Sequence, residues 1–249
     1  MHSEHNSREL QGQVAIVTGA SAGLGRATAL ALAAVGMRLV LTARREQRLL
    51  ALQQEIRKAG GEAVVVAGDA AQEATAVAAV NAALTAFGRI DVLINNAGAG
   101  LYKSLVHTTA DEYDELLRSN LRSSFLFARH TAPEFIQQRS GTMIFVSSVA
   151  GLAGAANESV YAATKFAQVG FAQSLAEELR GYGVKVTALC PGGMKTEFAI
   201  GRGRTTEQVE SSRMMDASAV AETILFVCRQ PINARLTQLT VRHMGEPFA

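Results

Sequence analysis

Tyr161 and Lys165 stand four residues apart in Ser159-Val-Tyr-Ala-Ala-Thr-Lys-Phe166, a stretch that reads as helix. At that spacing both side chains share one face, a turn apart. An ammonium beside a phenol favours the phenolate. A free tyrosine titrates near ~10, so bringing it to about 7 takes roughly 4 kcal/mol of differential stabilisation. Ser148 closes an apolar run, Thr142-Met-Ile-Phe-Val-Ser-Ser148, that reads as a buried strand. Its hydroxyl could hold a substrate oxygen beside the phenol. The three side chains together describe a proton-transfer site. Each has an incidental reading too, since Tyr-x-x-x-Lys pairs are common on amphipathic helices and Ser147 competes with Ser148.

A second constellation lies near the start of the chain. Val14-Ala-Ile-Val-Thr18 reads as a short buried strand, followed at once by Gly19-Ala-Ser21-Ala-Gly23-Leu24-Gly25 and an Ala/Leu-rich helix. Glycines let the backbone turn tightly and approach a pyrophosphate. A helix N-terminus adds free N–H groups at the positive end of its dipole. The spacing Gly-x-x-x-Gly-x-Gly differs from the commoner Gly-x-Gly-x-x-Gly. No Lys-Ser/Thr pair follows, as a P-loop would require. A glycine-rich turn that binds nothing is the competing reading.

Thr18 to Gly25, Asn95-Asn96-Ala-Gly98, Asn120, Ser148, Tyr161-x-x-x-Lys165 and Pro191-Gly192 occur in an order and spacing that resemble the short-chain dehydrogenase/reductase family. The resemblance runs from about Gly12 almost to the C-terminus. It implies a nicotinamide-dependent carbonyl reductase or alcohol dehydrogenase on a single Rossmann-type domain, acting on a small-molecule ketone or secondary alcohol. It further implies that Tyr161 is the general acid/base, that Lys165 lowers its pKa and binds the nicotinamide ribose, and that Ser148 rather than Ser147 orients the carbonyl. Asn120, within Arg118-Ser-Asn-Leu-Arg122, is implied to serve a water-linked proton relay to Lys165. For the cofactor, the resemblance marks Gly19, Ser21, Gly23, Leu24 and Gly25 in the turn, Asp69 near the adenine, Asn96, Pro191 and Gly192, and Thr196 at the nicotinamide carboxamide. Asp69 as a turn or N-cap acid and Thr196 as a surface threonine remain open. A catalytically silent NADP-binding sensor or scaffold is the alternative function, against which the complete set Asn120, Ser148, Tyr161 and Lys165 argues.

An NAD site of this kind usually has an acid about 20 residues past the glycine turn. Here the second strand ends Leu39-Val-Leu-Thr-Ala43-Arg44-Arg45, with Ala43 about where that acid would stand. A guanidinium at Arg44 can fork onto a 2′-phosphate, and no carboxylate repels it. Arg44 and Arg45 as solvated charges are the other reading, although cations at a helix start oppose its dipole. NADP(H) is the expected cofactor.

The substrate is less legible. Leu101 and Tyr102 are expected to form one wall, and residues 192–215 a mobile lid. Lys195, Arg202, Arg204 and Arg213 within it could favour an anionic substrate such as a 3-oxo acid. Many fatty-acid-synthesis reductases of the family end with a segment containing Val-Asp-Gly-Gly. This chain ends Leu239-Thr-Val-Arg-His-Met-Gly-Glu-Pro-Phe-Ala249, which leaves a 3-oxoacyl thioester as the alternative substrate class.

The elements that must position these residues alternate along the chain. Residues 1–11 are polar and read as a flexible tail, and 12–249 as one α/β domain. Strands are expected at 13–18, 38–42, 63–67, 91–95, 142–147, 184–190 and 235–241, with helices near 24–35, 45–59, 72–87, 111–138, 159–181 and 217–229. Strand runs of Val, Ile and Leu suit a sheet covered on both faces. Alternation with helices gives right-handed crossovers and a parallel, doubly wound sheet of about seven strands, with ligands at the carboxyl ends.

Composition sets the outer bounds. The 249 residues are 48% hydrophobic, enough for one large core, and the net charge of +2 with scattered basic residues argues against nucleic acid as a partner. Cys190 and Cys228 read as small core residues in a reducing compartment. The five histidines show no metal-ligand spacing. The first residues lack the apolar core of a signal peptide, and the Ala/Leu run before Gly36 is too short to span a bilayer, so no membrane partner and a cytoplasmic location are expected. The helix carrying Tyr161 is apolar on several faces, which predicts a homodimer or homotetramer.

Overall fold

Val14 and Ile16 leave one side of the first strand and Ala15 and Val17 the other, all four fully buried. That is period-two alternation with apolar residues on both faces, so the strand must be sandwiched. In the computed structural model, which describes residues 9–246, this holds for the central sheet. The strands β1 (Val14–Thr18), β2 (Arg38–Ala43), β3 (Ala63–Ala67), β4 (Val92–Asn95), β5 (Gly141–Val146), β6 (Val184–Pro191) and β7 (Gln238–Val241) form one sheet in the order β3-β2-β1-β4-β5-β6-β7. Every neighbouring pair is parallel.

The helices cover both faces. Ala15 and Val17 pack with side chains of α1 (Gly23–Ala34), α2 (Glu46–Lys58) and α8 (Ala217–Cys228). Val14 and Ile16 pack with α3 (Glu73–Phe87), α5 (Ser123–Gln138) and α6 (Ser159–Arg180). The order reverses between β1 and β4, and the crevice at such a switch point lies outside the carboxyl ends of the strands. Gly19, Asn96, Ser148 and Gly192 all follow strands at that rim.

Three expectations need correction. The single helix read over 111–138 is interrupted. A short helix α4 (Ala110–Leu116) runs into a π turn (Leu117–Arg122) and only then into α5. The Ser123 N–H bonds Arg118 O, five residues back, where an α-helix would bond four back. The inserted residue leaves the apolar pattern readable as one helix, and Asn120 sits inside it. Residues 192–215, read as a loop, contain the short helix α7 (Thr206–Ser211), started by a reciprocal Thr205/Gln208 capping box. The tail reading of 1–11 falls largely outside the described residues, but Leu10 is buried in the core at 4% exposure, so the anchored chain begins before Gly12. Among the described residues no helix is long and apolar enough to cross a membrane.

Candidate active site

The two serines that end the β5 run part ways. Ser147 is buried, and its Oγ donates to Lys165 O at 2.9 Å, pinning the strand end to α6. Ser148 is half-buried and lines the same cleft as the Tyr161 phenol, close enough for its hydroxyl to pull the phenol's pKa down. The Ser148 Oγ accepts from Ala150 N at 3.1 Å, which fixes its direction. The Tyr161 ring lies between Tyr102 and Phe198, with centroids 5.8 and 5.9 Å away. Lys165, one turn on, is 4% exposed.

These side chains floor a cleft of about 800 Å³ that runs from Arg44, past the glycine turn, to Tyr161. At the turn Gly19 has φ +67°, and a Cβ at Gly25 would collide with the Gly19 carbonyl oxygen. The close packing of strand end on helix therefore needs glycine at both positions. Ala22 precedes α1 without a side-chain cap, so the first N–H groups of this helix are left for an anion. Asn96 Nδ2 donates to Thr18 O at 2.9 Å, and Thr18 Oγ1 accepts from the N–H groups of Asn96 and Ala97, both at 2.8 Å. That ties β1 to β4. Ser21, Gly23 and Leu24 border the cleft, Leu24 with its side chain in the core. Thr196 closes over the turn, 3.3 Å from where a Cβ at Gly23 would stand. It is a cleft residue rather than a surface threonine. Pro191 and Gly192 border the same cleft.

A family model described as short chain dehydrogenase matches residues 13–207. This chain belongs to the short-chain dehydrogenase family. A 3-oxoacyl-[acyl-carrier-protein] reductase of Synechocystis sp. is 35% identical over 234 residues, spanning 93% of this chain and 95% of that protein. The short-chain reductase protein NovJ of Streptomyces niveus is 38% identical over 251 residues, spanning 94% of each. The crystal structure of a metagenomic short-chain oxidoreductase in complex with NADP superposes with a TM-score of 0.82 at 34% identity, covering 96% of this chain and all of that one.

The glycine-turn end of the cleft in this short-chain dehydrogenase is basic. Arg44 is exposed on the cleft rim and makes no ion pair among the described residues. Arg45 is engaged: its Nε donates to Ser21 Oγ at 3.2 Å and its Nη1 to Glu197 at 2.8 Å. Arg48 Nη1 pairs with the same carboxylate at 2.7 Å, so Glu197 bridges the segment after β6 to α2. Asp69 combines both of its readings. Its Oδ1 accepts from Ala71 N at 3.0 Å in a turn and its Oδ2 pairs with Arg118 at 2.9 Å, and it borders the cleft.

Around Tyr161 and Lys165, the short-chain dehydrogenase departs from the expected electrostatics. The ammonium was expected to acidify the phenol. Burial instead pushes the Tyr161 phenol well above the ordinary tyrosine value, helped by Tyr102 and opposed by the Ser148 hydroxyl and Arg204. Burial also pulls Lys165 down to about 7, which weakens its field on the phenol at neutral pH. Desolvation, invisible to spacing, outweighs the attraction that spacing suggests.

Asn120 is fully buried and makes no direct bond to Lys165. Its Oδ1 accepts from Ala99 N at 2.7 Å, and its Nδ2 donates to Ala99 O at 3.0 Å and Thr164 Oγ1 at 2.8 Å. The connection to Lys165 runs through Gln168, a residue that sequence reasoning missed. Its signal was a polar side chain on the same face of α6 as Tyr161 and Lys165.

At the substrate end Tyr102 borders the cleft, whereas Leu101 is buried at 6% exposure and does not. Of the four cations read as an anion site, Lys195 lies outside the cleft lining and Arg202 pairs with Glu115 at 2.7 Å. Arg204 donates to the Tyr102 hydroxyl, with its guanidinium 4.3 Å from the centre of that ring; it makes no salt bridge among the described residues, although its charge draws down the Glu158 carboxyl that burial raises. Arg213 also borders the cleft, as do Glu158 and Glu246, whose significance the sequence did not reveal.

Proposed function

We propose that the protein is an NADP(H)-dependent oxidoreductase interconverting a ketone or 3-oxo acid and its secondary alcohol. The observation that carries this reading is the convergence of Ser148, Tyr161 and Lys165 in one cleft continuous with an uncapped, glycine-lined helix N-terminus. The residues suit the cofactor: the α1 N-terminus takes the pyrophosphate, and Arg44, with no acid at Ala43, takes a 2′-phosphate. When bound, the dinucleotide supplies or accepts the hydride.

The proton belongs to the chain. Ser148 donates a hydrogen bond to the substrate oxygen and orients it. Tyr161 gives its phenolic proton to that oxygen during reduction, becoming phenolate, and takes it back during oxidation. Lys165 in its charged form stabilises the phenolate. Burial favours the protonated phenol, the form in which Tyr161 acts as general acid. Tyr102 and Phe198 flank the phenol and narrow the access of water.

Arg204 supports the 3-oxo acid as substrate, because it borders the cleft beside Tyr102 and makes no salt bridge among the described residues, Glu158 feeling its charge only through space. The similarity to the Synechocystis reductase favours a second reading, a 3-oxoacyl thioester. We assign the protein to the cytoplasm, in keeping with the buried cysteines Cys190 and Cys228. A homodimer or homotetramer through α5 and α6 would cover Phe125 and Phe166, which are 43% and 46% exposed.

The test follows NADPH absorbance with neutral ketones, 3-oxo acids and 3-oxoacyl pantetheine thioesters. Turnover of ketones or acids is expected. Tight NADPH binding with no turnover of any carbonyl would favour the silent sensor, and absence of NADPH binding would overturn the reading outright.

A further inference from the structure

Gln168 lies three residues beyond Lys165 and seven beyond Tyr161, so all three share one face of α6. It is fully buried. A primary amide in that position is costly unless its donors and acceptor are all met, and here they are. Its Oε1 accepts from Lys165 Nζ at 2.8 Å, and its Nε2 donates to Asn120 O at 2.9 Å and to Ser124 Oγ at 2.8 Å. Only one orientation of the amide satisfies these partners, because an ammonium cannot accept and a carbonyl cannot donate. Ser124 Oγ in turn donates to Asn120 O at 2.8 Å, closing a ring of three polar groups that joins α6 to α5 and the π turn. The second acceptor of Lys165 Nζ is Val146 O at 3.0 Å, on β5. The titratable groups facing the amine are Tyr161 on its own helix, with the ring centre 5.7 Å away, and Cys190 on β6.

We propose that Gln168 is a positioning residue: its amide aims Lys165 Nζ at the floor of the cleft and anchors it to the π-turn backbone at Asn120. The proposal rests on the use of Lys165 in the reaction above. An amide oxygen on a buried ammonium supports the charged form. Replacing it with a thioether leaves Nζ a single acceptor, and replacing it with a carboxylate adds an opposite charge. The two changes therefore move the titration of Lys165 in opposite directions, whereas a residue that merely fills space moves it in neither.

The experiment titrates Lys165 in the cofactor-free protein by NMR of isotope-labelled lysine, with the signal identified from Lys165→Arg. In Gln168→Met the midpoint is expected to fall by about one pH unit, and in Gln168→Glu to rise by at least as much. The alkaline limb of the pH profile for NADPH-dependent reduction moves with it. In Gln168→Met kcat drops about tenfold or more, the worth of one hydrogen bond to a charged group, while NADPH affinity stays within about threefold. Lysine midpoints unchanged in both variants overturn the proposal, whatever happens to melting temperature. Should Gln168→Met fail to fold, Gln168→Glu, which keeps an oxygen facing Nζ, decides alone. Shifted midpoints in a protein that reduces nothing would sink the proposed reaction and leave the Gln168–Lys165 coupling standing.

Discussion

Lys165 Nζ lies 5.7 Å from the centre of the Tyr161 ring, yet its hydrogen bonds go to Val146 O and Gln168 Oε1. Phenol and amine are neighbours through space and separately anchored. Both are buried, and both are driven toward their neutral forms.

This has a thermodynamic signature. Lys165 is pulled down to about 7 in the folded protein, whereas an unfolded lysine titrates near ~10. Between those values the unfolded chain binds more protons, so stability rises with pH. Tyr161, raised on folding, acts oppositely: from about pH 10 upward the unfolded chain loses a proton that the folded one keeps, and stability falls. Urea unfolding followed from neutral to mildly alkaline pH should show the rise, and Lys165→Met should flatten it. An undiminished slope in that variant would refute the buried-amine account.

Tyr161→Phe removes the acid and keeps the ring between Tyr102 and Phe198. NADPH binding should stay within about threefold while kcat falls by about two orders of magnitude or more, the usual share of a general acid. Stopped-flow turnover and fluorescence titration check the two halves. Retained turnover would strip Tyr161 of its role.

Arg44 makes no ion pair among the described residues, and Arg45 is held by Ser21 and Glu197. Arg44→Asp should therefore lower the NADPH-over-NADH ratio of kcat/KM by about tenfold or more, since a charge-assisted hydrogen bond is replaced by repulsion. Arg45→Ala should change it less. An unaltered ratio in Arg44→Asp speaks against recognition of a 2′-phosphate at this position.

Arg204 predicts a charge preference. A 3-oxo acid should exceed its neutral ester in kcat/KM by about tenfold, and Arg204→Met should abolish the difference with little effect on the ester. If acid and ester react equally in the parent protein, the substrate is not selected by charge.

How far the chain could be read depended on what each feature writes into it. The strands were legible because residues such as Val14 to Val17 are apolar on both faces. Tyr161 and Lys165 were legible because four residues is nearly a helical turn. Ser147 and Ser148 were indistinguishable, as both follow the same strand, until one hydroxyl turned to a helix backbone and the other to the phenol. The π turn at Asn120 escaped because one inserted residue barely disturbs an apolar stripe. The Thr205-x-x-Gln208 capping signature of α7 was present and overlooked. The electrostatics misled for a different reason: spacing reports which charges meet and says nothing of how dry they are when they do.

The bond from Ser147 Oγ to the backbone of Lys165 has an evolutionary corollary. It rivets β5 to α6 at the point where the proton chemistry is assembled, so the distance from Ser148 to Tyr161 does not depend on the path taken by the residues in between. The segment joining them still reaches the acid at two points, through Ala150 N on Ser148 and through the charge of Glu158 near the phenol. Between those two points the segment is free to differ, because the Ser147 hydroxyl already clamps the strand end to the helix.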